Sequence, residues 1–192
     1  MNLIFKIISF PRIVSFAKFI LSFKLIYPLT KLLLKNTILK QFCGGQNEGD
    51  CKNLIQGLNS RNVYSILDYS VEGLENELSF EETVSRTINL IELNTSNNFP
   101  FIVFKPTGIG RFDLYKKISS KAKLSDLEKT EWSKVLSRYD IICDTAQKKN
   151  VSVLIDAEES WIQSSIDEIY ENLIVKYNSK KAVVYNTVQA YR

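Results

Sequence analysis

The chain has 192 residues, of which 45% are hydrophobic, and a formal net charge of +4. Residues 1–40 contain seven Lys or Arg and no acid, whereas the remaining 152 residues contain 18 basic and 21 acidic side chains. These 152 residues therefore have a slight net negative charge, which argues against nucleic-acid binding by this part of the chain. The absence of histidine excludes Ser-His-Asp and Cys-His nucleophilic schemes and most catalytic zinc sites.

Three cysteines, Cys43, Cys51 and Cys143, are odd in number and contain no CxxC pair. This pattern predicts neither a disulfide framework nor a metal site. We therefore expect a reduced, intracellular setting and a cytoplasmic protein.

Residues 1–41 are predicted to form a basic amphipathic helical arm, which Pro11 and Pro28 divide into short helices. No uncharged apolar run approaches the roughly 18 residues of a membrane-spanning helix. A signal-peptide cleavage site is not found. Two interpretations stay open: the arm packs on the domain or on a partner subunit, or its basic face makes the protein peripheral to a membrane.

The rest of the chain alternates short apolar runs with amphipathic segments. The runs, read as buried strands, are Val63–Leu67, Phe101–Phe104, Val151–Ile155 and Ala182–Tyr185. Capping-box patterns precede the helices, at Ser79 with Glu82, Ser125 with Glu128, and Ser160 with Gln163. Gly108 and Gly110 indicate a loop that continues to Leu124. Such alternation predicts an α/β fold with parallel strands and right-handed crossovers.

Each run ends in polar residues, which predicts a ligand site at the carboxyl edge of the sheet. The candidates are Asp68 and Glu72, Lys105, Asp156, and Gln189. Alternatives stay open for each of them. In these alternatives, Lys105 and Asp156 simply pair with each other, and the side chains of Glu72 and Gln189 are exposed to solvent. Glu158 and Glu159 would act on the dipole of the next helix.

Five segments in this order resemble the proline dehydrogenase family, including the flavin domain of proline utilisation A proteins. They are FCGGQ, SILDYSVEG, VFKPTGIGRF, LIDAEESW and YNTVQAYR. The resemblance covers residues 40 to 192. It implies the first half of a (β/α)8 TIM-type barrel over residues 42–192, truncated after the fourth strand and preceded by the arm.

The resemblance also implies the chemistry. FAD would oxidise L-proline to Δ1-pyrroline-5-carboxylate and pass the electrons to a quinone. By position, Asp156 matches the catalytic aspartate beside the flavin, and Lys105 the lysine that contacts the proline carboxylate. Ala157 and Gln189 match cofactor-binding residues, while Asp68 and Glu72 match an acidic pair that gates the pocket.

Two other functions are weighed against this one. The chain lacks the later strands and the arginine pair that the family uses for the proline carboxylate. The second hypothesis is therefore that the chain is an inactive fragment, or a subunit that requires a complementary half. A membrane-surface binding module built on the basic arm is the third hypothesis.

Overall fold

The computed structural model describes residues 9–21, 43–45, 48–68, 73–97 and 99–191, in two compact units, Met1–Val63 and Tyr64–Arg192. The first unit contains α1 (Pro11–Leu21) and α2 (Glu48–Asn59). Within the described ranges, no helix combines the length and apolar character needed to cross a bilayer. The boundary of the arm at residue 41 stays a prediction.

The second unit is mostly helical around a small parallel sheet. Its elements are α3 (Glu77–Asn97), β1 (Ile102–Phe104), a 3₁₀ turn (Pro106–Gly108), α4 (Phe112–Ser119), α5 (Asp126–Lys149), β2 (Val153–Ile155), α6 (Ser160–Tyr177) and β3 (Val184–Asn186). The strands lie in the order β1-β2-β3 and all pairs are parallel. The α/β class predicted from the alternation is thus observed in this unit.

The predicted first strand is much shorter than expected. A single parallel bridge joins Leu67 to Ile102. Val63, Tyr64 and Ile66 are exposed, so the apolar run that suggested a buried strand is not buried.

All three residues of β1 are buried, as expected for a short apolar strand of a parallel sheet, whereas Leu154 of β2 and Tyr185 and Asn186 of β3 are partly buried. Helices α3, α5 and α6 supply most of the surrounding core. Its largest fully buried aliphatic side chains include Ile91, Ile102, Ile142, Ile155, Ile162 and Ile166.

Only one of the three predicted capping boxes is present. Ser125 and Glu128 cap α5 reciprocally. Helix α3 begins earlier than Ser79, because the Asn76 side chain accepts from the Ser79 amide at 2.9 Å. Helix α6 begins at Ser160 after Glu159, which makes no side-chain cap.

Helix α4 lies where a continuous loop was predicted, and that prediction is wrong. Two glycines suggested irregular structure, but the polar and apolar residues of α4 follow a helical period. Leu114 and Tyr115 are completely buried. Helix α4 packs against α6 and covers one side of the core.

A buried arginine joins α3, α5 and the segment after the 3₁₀ turn. Arg138 is 2% exposed, donates to Glu77 at 2.6 Å and Glu81 at 2.9 Å, and lies over the ring of Phe80. Its third bond, at 3.1 Å, reaches the carbonyl of Ile109. A planar guanidinium suits this role because it offers several donors in a fixed geometry.

Candidate active site

The strand register brings three chain segments to one edge of the sheet. Phe104 is level with Ile155, and Ile155 with Asn186. Lys105, Asp156 and Thr187 therefore leave their strands side by side at the carboxyl edge, where open parallel sheets bind ligands.

Lys105 and Asp156 form a direct ion pair at this edge. The distance from Nζ to Oδ2 is 2.6 Å, and the side chains are 13% and 27% exposed. The Asp156 amide donates to the carbonyl of Phe104 at 3.1 Å, which fixes the start of the segment after β2. Of the alternatives that the sequence left open, the structure therefore contains the direct pairing of Lys105 with Asp156. A short charge-assisted bond of this kind fixes the orientation of both side chains.

The Ala157 amide is held by the same carboxylate. It donates to Oδ1 of Asp156 at 3.0 Å, so both carboxylate oxygens accept hydrogen bonds from described residues. Gln189 lies three residues beyond β3. Its buried Oε1 accepts no hydrogen bond from the described residues.

A second contact between the same two segments was not predicted from the sequence. Glu158 accepts from the Thr107 amide at 2.8 Å and from the Thr107 hydroxyl at 2.5 Å. The two residues are 51 positions apart in the chain. The only local signal was an acidic residue just before a helix, which suggested an interaction with the helix dipole.

Glu158 carries an unfavourable charge for its surroundings. Burial raises the pKa of its carboxyl group, while the two bonds from Thr107 and the charge of Lys105 act in the opposite direction. Two completely buried phenols lie behind it: the Tyr115 hydroxyl donates to Tyr139 at 3.3 Å, and burial raises the pKa of both. The site therefore combines a partly buried ion pair with a carboxyl group whose charged form is disfavoured by burial.

The predicted gate residues are less well defined. Asp68 follows the bridge at Leu67 and is exposed. Glu72 lies outside the described residues, so its part in a gate stays a prediction. The described part of the chain contains no cluster of three or more metal-ligating side chains.

Parallel strands, helical crossovers and an ion pair at the carboxyl edge define an α/β protein with charged groups at the edge where sheet and barrel enzymes bind their ligands. Comparison with known proteins narrows this class. The family model described as "Proline dehydrogenase" matches residues 51–192. The chain belongs to the proline dehydrogenase family, a family of flavin-dependent oxidoreductases.

Three individual relatives were compared with the chain, and two of them are named proline dehydrogenase. The chain is 28% identical over 151 residues to the carbapenem antibiotics biosynthesis protein CarD of Pectobacterium carotovorum, covering 78% of this chain and 40% of that protein. It is 26% identical over 198 residues to the mitochondrial proline dehydrogenase 1 of Dictyostelium discoideum, covering 82% of this chain and 34% of that protein. Proline dehydrogenase 1 of Arabidopsis thaliana is 24% identical over 200 residues, with 83% and 40% covered. The chain thus spans about a third to two fifths of the length of these relatives.

Proposed function

We propose that this chain takes part in the FAD-dependent oxidation of L-proline to Δ1-pyrroline-5-carboxylate. The observation that carries the proposal is the Lys105–Asp156 ion pair at the carboxyl edge of the sheet. A zwitterionic amino acid matches such a pair, because its carboxylate complements Lys105 and its ammonium complements Asp156. The family match supports proline as the amino acid.

In this proposal the flavin, when bound, supplies the hydride acceptor. The protein residues would bind and orient the flavin and the substrate. Gln189 fits this role, because its buried Oε1 has no donor among the described residues and a flavin ring edge offers an N–H group. The Ala157 backbone would lie beside the ring, and Asp156 would keep a negative charge near the reacting carbon and nitrogen. Asp68 and Glu72 would control entry to the pocket.

The sheet is proposed to be the first part of a (β/α)8 barrel. Among the described residues, β3 pairs only with β2, and its other edge is unpaired. In a complete barrel, that edge would pair with the next strand. The chain covers only 34% to 40% of the length of these relatives, so we propose that turnover needs further segments corresponding to the rest of their length. A quinone is the proposed electron acceptor.

The test is proline-dependent reduction of an artificial electron acceptor by the holoenzyme. The Lys105→Met variant should raise KM for proline about 10- to 100-fold, the effect of losing one hydrogen bond to a charged group. Lys129→Met is the matched control, since Lys129 is 62% exposed and pairs with its helical neighbour Asp126. No proline-dependent reduction by a wild-type holoenzyme that includes the further segments would refute the proposed function.

A peripheral contact with an anionic membrane is a second candidate function. It rests on α1 and the residue before it, where four large apolar side chains are exposed: Phe10, Ile13, Phe16 and Phe19. The arm that contains them has seven basic residues and no acid. Exposed aromatic side chains combined with positive charge favour binding at the interface of anionic lipids.

Vesicle co-sedimentation tests this second candidate. Binding to anionic vesicles should exceed binding to zwitterionic vesicles, and Phe16→Ser with Phe19→Ser should abolish it. Leu54→Ser is a suitable control, because Leu54 is an exposed apolar residue of α2 outside the basic arm. Equal sedimentation with both vesicle types would rule out an electrostatic membrane contact.

A further inference from the structure

A pair of hydrogen bonds lies directly beyond the ion pair at the sheet edge. Thr107 follows Lys105 by two residues, and its amide and hydroxyl both donate to Glu158, at 2.8 and 2.5 Å. Glu158 in turn follows Asp156 by two residues. On the strand side of the ion pair, the Asp156 amide donates to the Phe104 carbonyl at 3.1 Å. The ion pair is therefore enclosed between two connections that join the same two chain segments.

The Thr107 end of this contact is held rigidly. Thr107 is the middle residue of the 3₁₀ turn Pro106–Gly108 and is 2% exposed. The proline ring fixes φ at the first residue of the turn. The Gly108 amide donates to the Lys105 carbonyl at 3.0 Å, which closes the turn. Glu158 is thus bonded to a point that has little freedom to move.

Stability alone does not account for a carboxyl group at position 158. Burial raises the pKa of Glu158, so the folded protein disfavours its charged form. An apolar side chain of similar volume would avoid that cost. Groups with shifted pKa values are concentrated at functional sites. Together with its contact beside the ion pair, this carboxyl group points to a role in the site.

A bound ligand changes what holds the two charged side chains in place. In the proposed function, the amino acid lies between Lys105 and Asp156 and replaces each as the counter-ion of the other. The direct bond of 2.6 Å is then lost. The separation of the two groups now depends on the chain segments that carry them. The backbone bond to Phe104 joins these segments on one side, and the contact between Thr107 and Glu158 joins them on the other.

We infer that Thr107 and Glu158 are positioning residues, whose hydrogen bonds keep the two charged groups at a fixed separation around the bound amino acid. This inference rests on the proposed function, since it requires a ligand between Lys105 and Asp156. Misplacing a reacting group by about 1 Å can cost about 100-fold in rate, whereas both charges stay available for binding. Loss of the contact should therefore lower kcat more than it raises KM.

The experiment measures kcat and KM for proline, counted per bound flavin, in the holoenzyme that includes the further segments. Thr107→Val removes the hydroxyl and keeps the branched shape and the backbone amide. It should lower kcat by about 5- to 50-fold and change KM by less than about threefold, because one of the two hydrogen bonds remains. Thr107→Ser keeps the hydroxyl and should recover most of the lost kcat.

Thr87→Val is the matched control. Thr87 is a residue of α3 that is 4% exposed, and its hydroxyl donates to the Thr83 carbonyl at 2.9 Å. The variant therefore also loses a buried hydroxyl group, but outside the two segments at the sheet edge. It should lower the melting temperature or the flavin content at most, and leave kcat per bound flavin unchanged.

Hydrogen exchange of the Asp156 amide gives a readout that does not depend on turnover. If the contact holds the two segments together, Thr107→Val should speed exchange of this amide by about 5- to 10-fold relative to the core helices, the effect of losing one hydrogen bond. Thr87→Val should not change that ratio. An unchanged ratio in Thr107→Val would overturn the inference.

A double variant tests whether Thr107 and Glu158 act as one unit. Glu158→Met removes both hydrogen bonds, so adding Thr107→Val should lower kcat no further. Losses that multiply in the double variant would overturn the inference, as would single variants that keep the kcat per bound flavin of an active wild type. A wild-type holoenzyme without proline turnover would instead refute the proposed function, and the inference would fall with it.

Discussion

Gly110 lies so close to Val135 of α5 that a side chain at position 110 cannot be accommodated. A Cβ atom built on Gly110 would be 2.7 Å from Cγ2 of Val135 and 3.1 Å from the ring of Tyr115. Both neighbours are completely buried. The glycine therefore allows the segment after the 3₁₀ turn to approach the core.

Gly110→Ala should destabilise the protein by about 1 to 3 kcal/mol, the range typical of overpacking. Gly57→Ala should have the opposite sign, because Gly57 is in α2 and a Cβ there meets nothing within 4 Å. Alanine in a helix is favoured over glycine by about 1 kcal/mol. Urea unfolding of both variants measures the two effects, and a stabilising Gly110→Ala would contradict the contact.

Asp156→Asn should reduce kcat/KM for proline by about 100-fold or more, as expected for loss of a charge placed beside reacting atoms. The effect on stability should be much smaller. Asparagine retains an oxygen for the Ala157 amide, and the carboxylate of Glu158 stays near Lys105. Asp126→Asn is the control, because that side chain is 97% exposed. Equal losses of activity in the two variants would exclude a catalytic role for Asp156.

Glu158 should make the protein less stable as the pH rises. Its pKa in the folded state is raised above the ordinary value of 4.5, so the folded state binds the proton more tightly than the unfolded state. The stability from this group is fully present below 4.5 and is lost as the pH rises through the folded pKa.

The measurement is urea unfolding of wild type and Glu158→Gln across this pH range. Glutamine has no titrating group, so the variant should gain stability relative to wild type as the pH rises. Taking the difference removes the contributions of Glu77 and Asp140, whose pKa values are lowered and which act in the opposite direction. A difference that does not change with pH would show that Glu158 titrates normally.

The 192 residues purified alone should not hold FAD stoichiometrically and should not oxidise proline. Asp156, Ala157 and Gln189 would form one edge of a flavin site, and β3 offers an unpaired edge among the described strands. The absorption spectrum of the purified chain provides the measurement. A yellow preparation that bleaches on addition of proline would contradict the proposed need for further segments.

The sequence predicts strands better than it predicts helix starts. The apolar runs before Lys105, Asp156 and Asn186 identify β1, β2 and the start of β3, because strands covered by helices leave a continuous hydrophobic signal. Serine followed by an acidic or amide residue three positions later is a weaker signal. At Ser160 it failed because Gln163 bonds to Asp167 instead of returning to the helix start.

Contacts between distant segments could not be predicted in the same way. The alternation of strands placed Lys105 and Asp156 at one edge, and their pairing was one of two open alternatives. The bond between Thr107 and Glu158 depends on where two loops meet in the fold, and no local sequence pattern predicts that position. Helix α4 was missed because Gly108 and Gly110 resemble a loop, whereas Gly110 serves close packing.

The Lys105–Asp156 ion pair has a consequence for how a ligand arrives. Because the two charges are joined at 2.6 Å, the pair projects a dipole and little net field into solvent. A zwitterionic amino acid is also neutral overall, so long-range steering contributes little to their encounter. For the proposed proline site, the association rate should vary little with ionic strength, unlike that of enzymes which attract a charged substrate. Each partner then exchanges its internal counter-ion for one end of the ligand, and the total charge at the sheet edge stays the same.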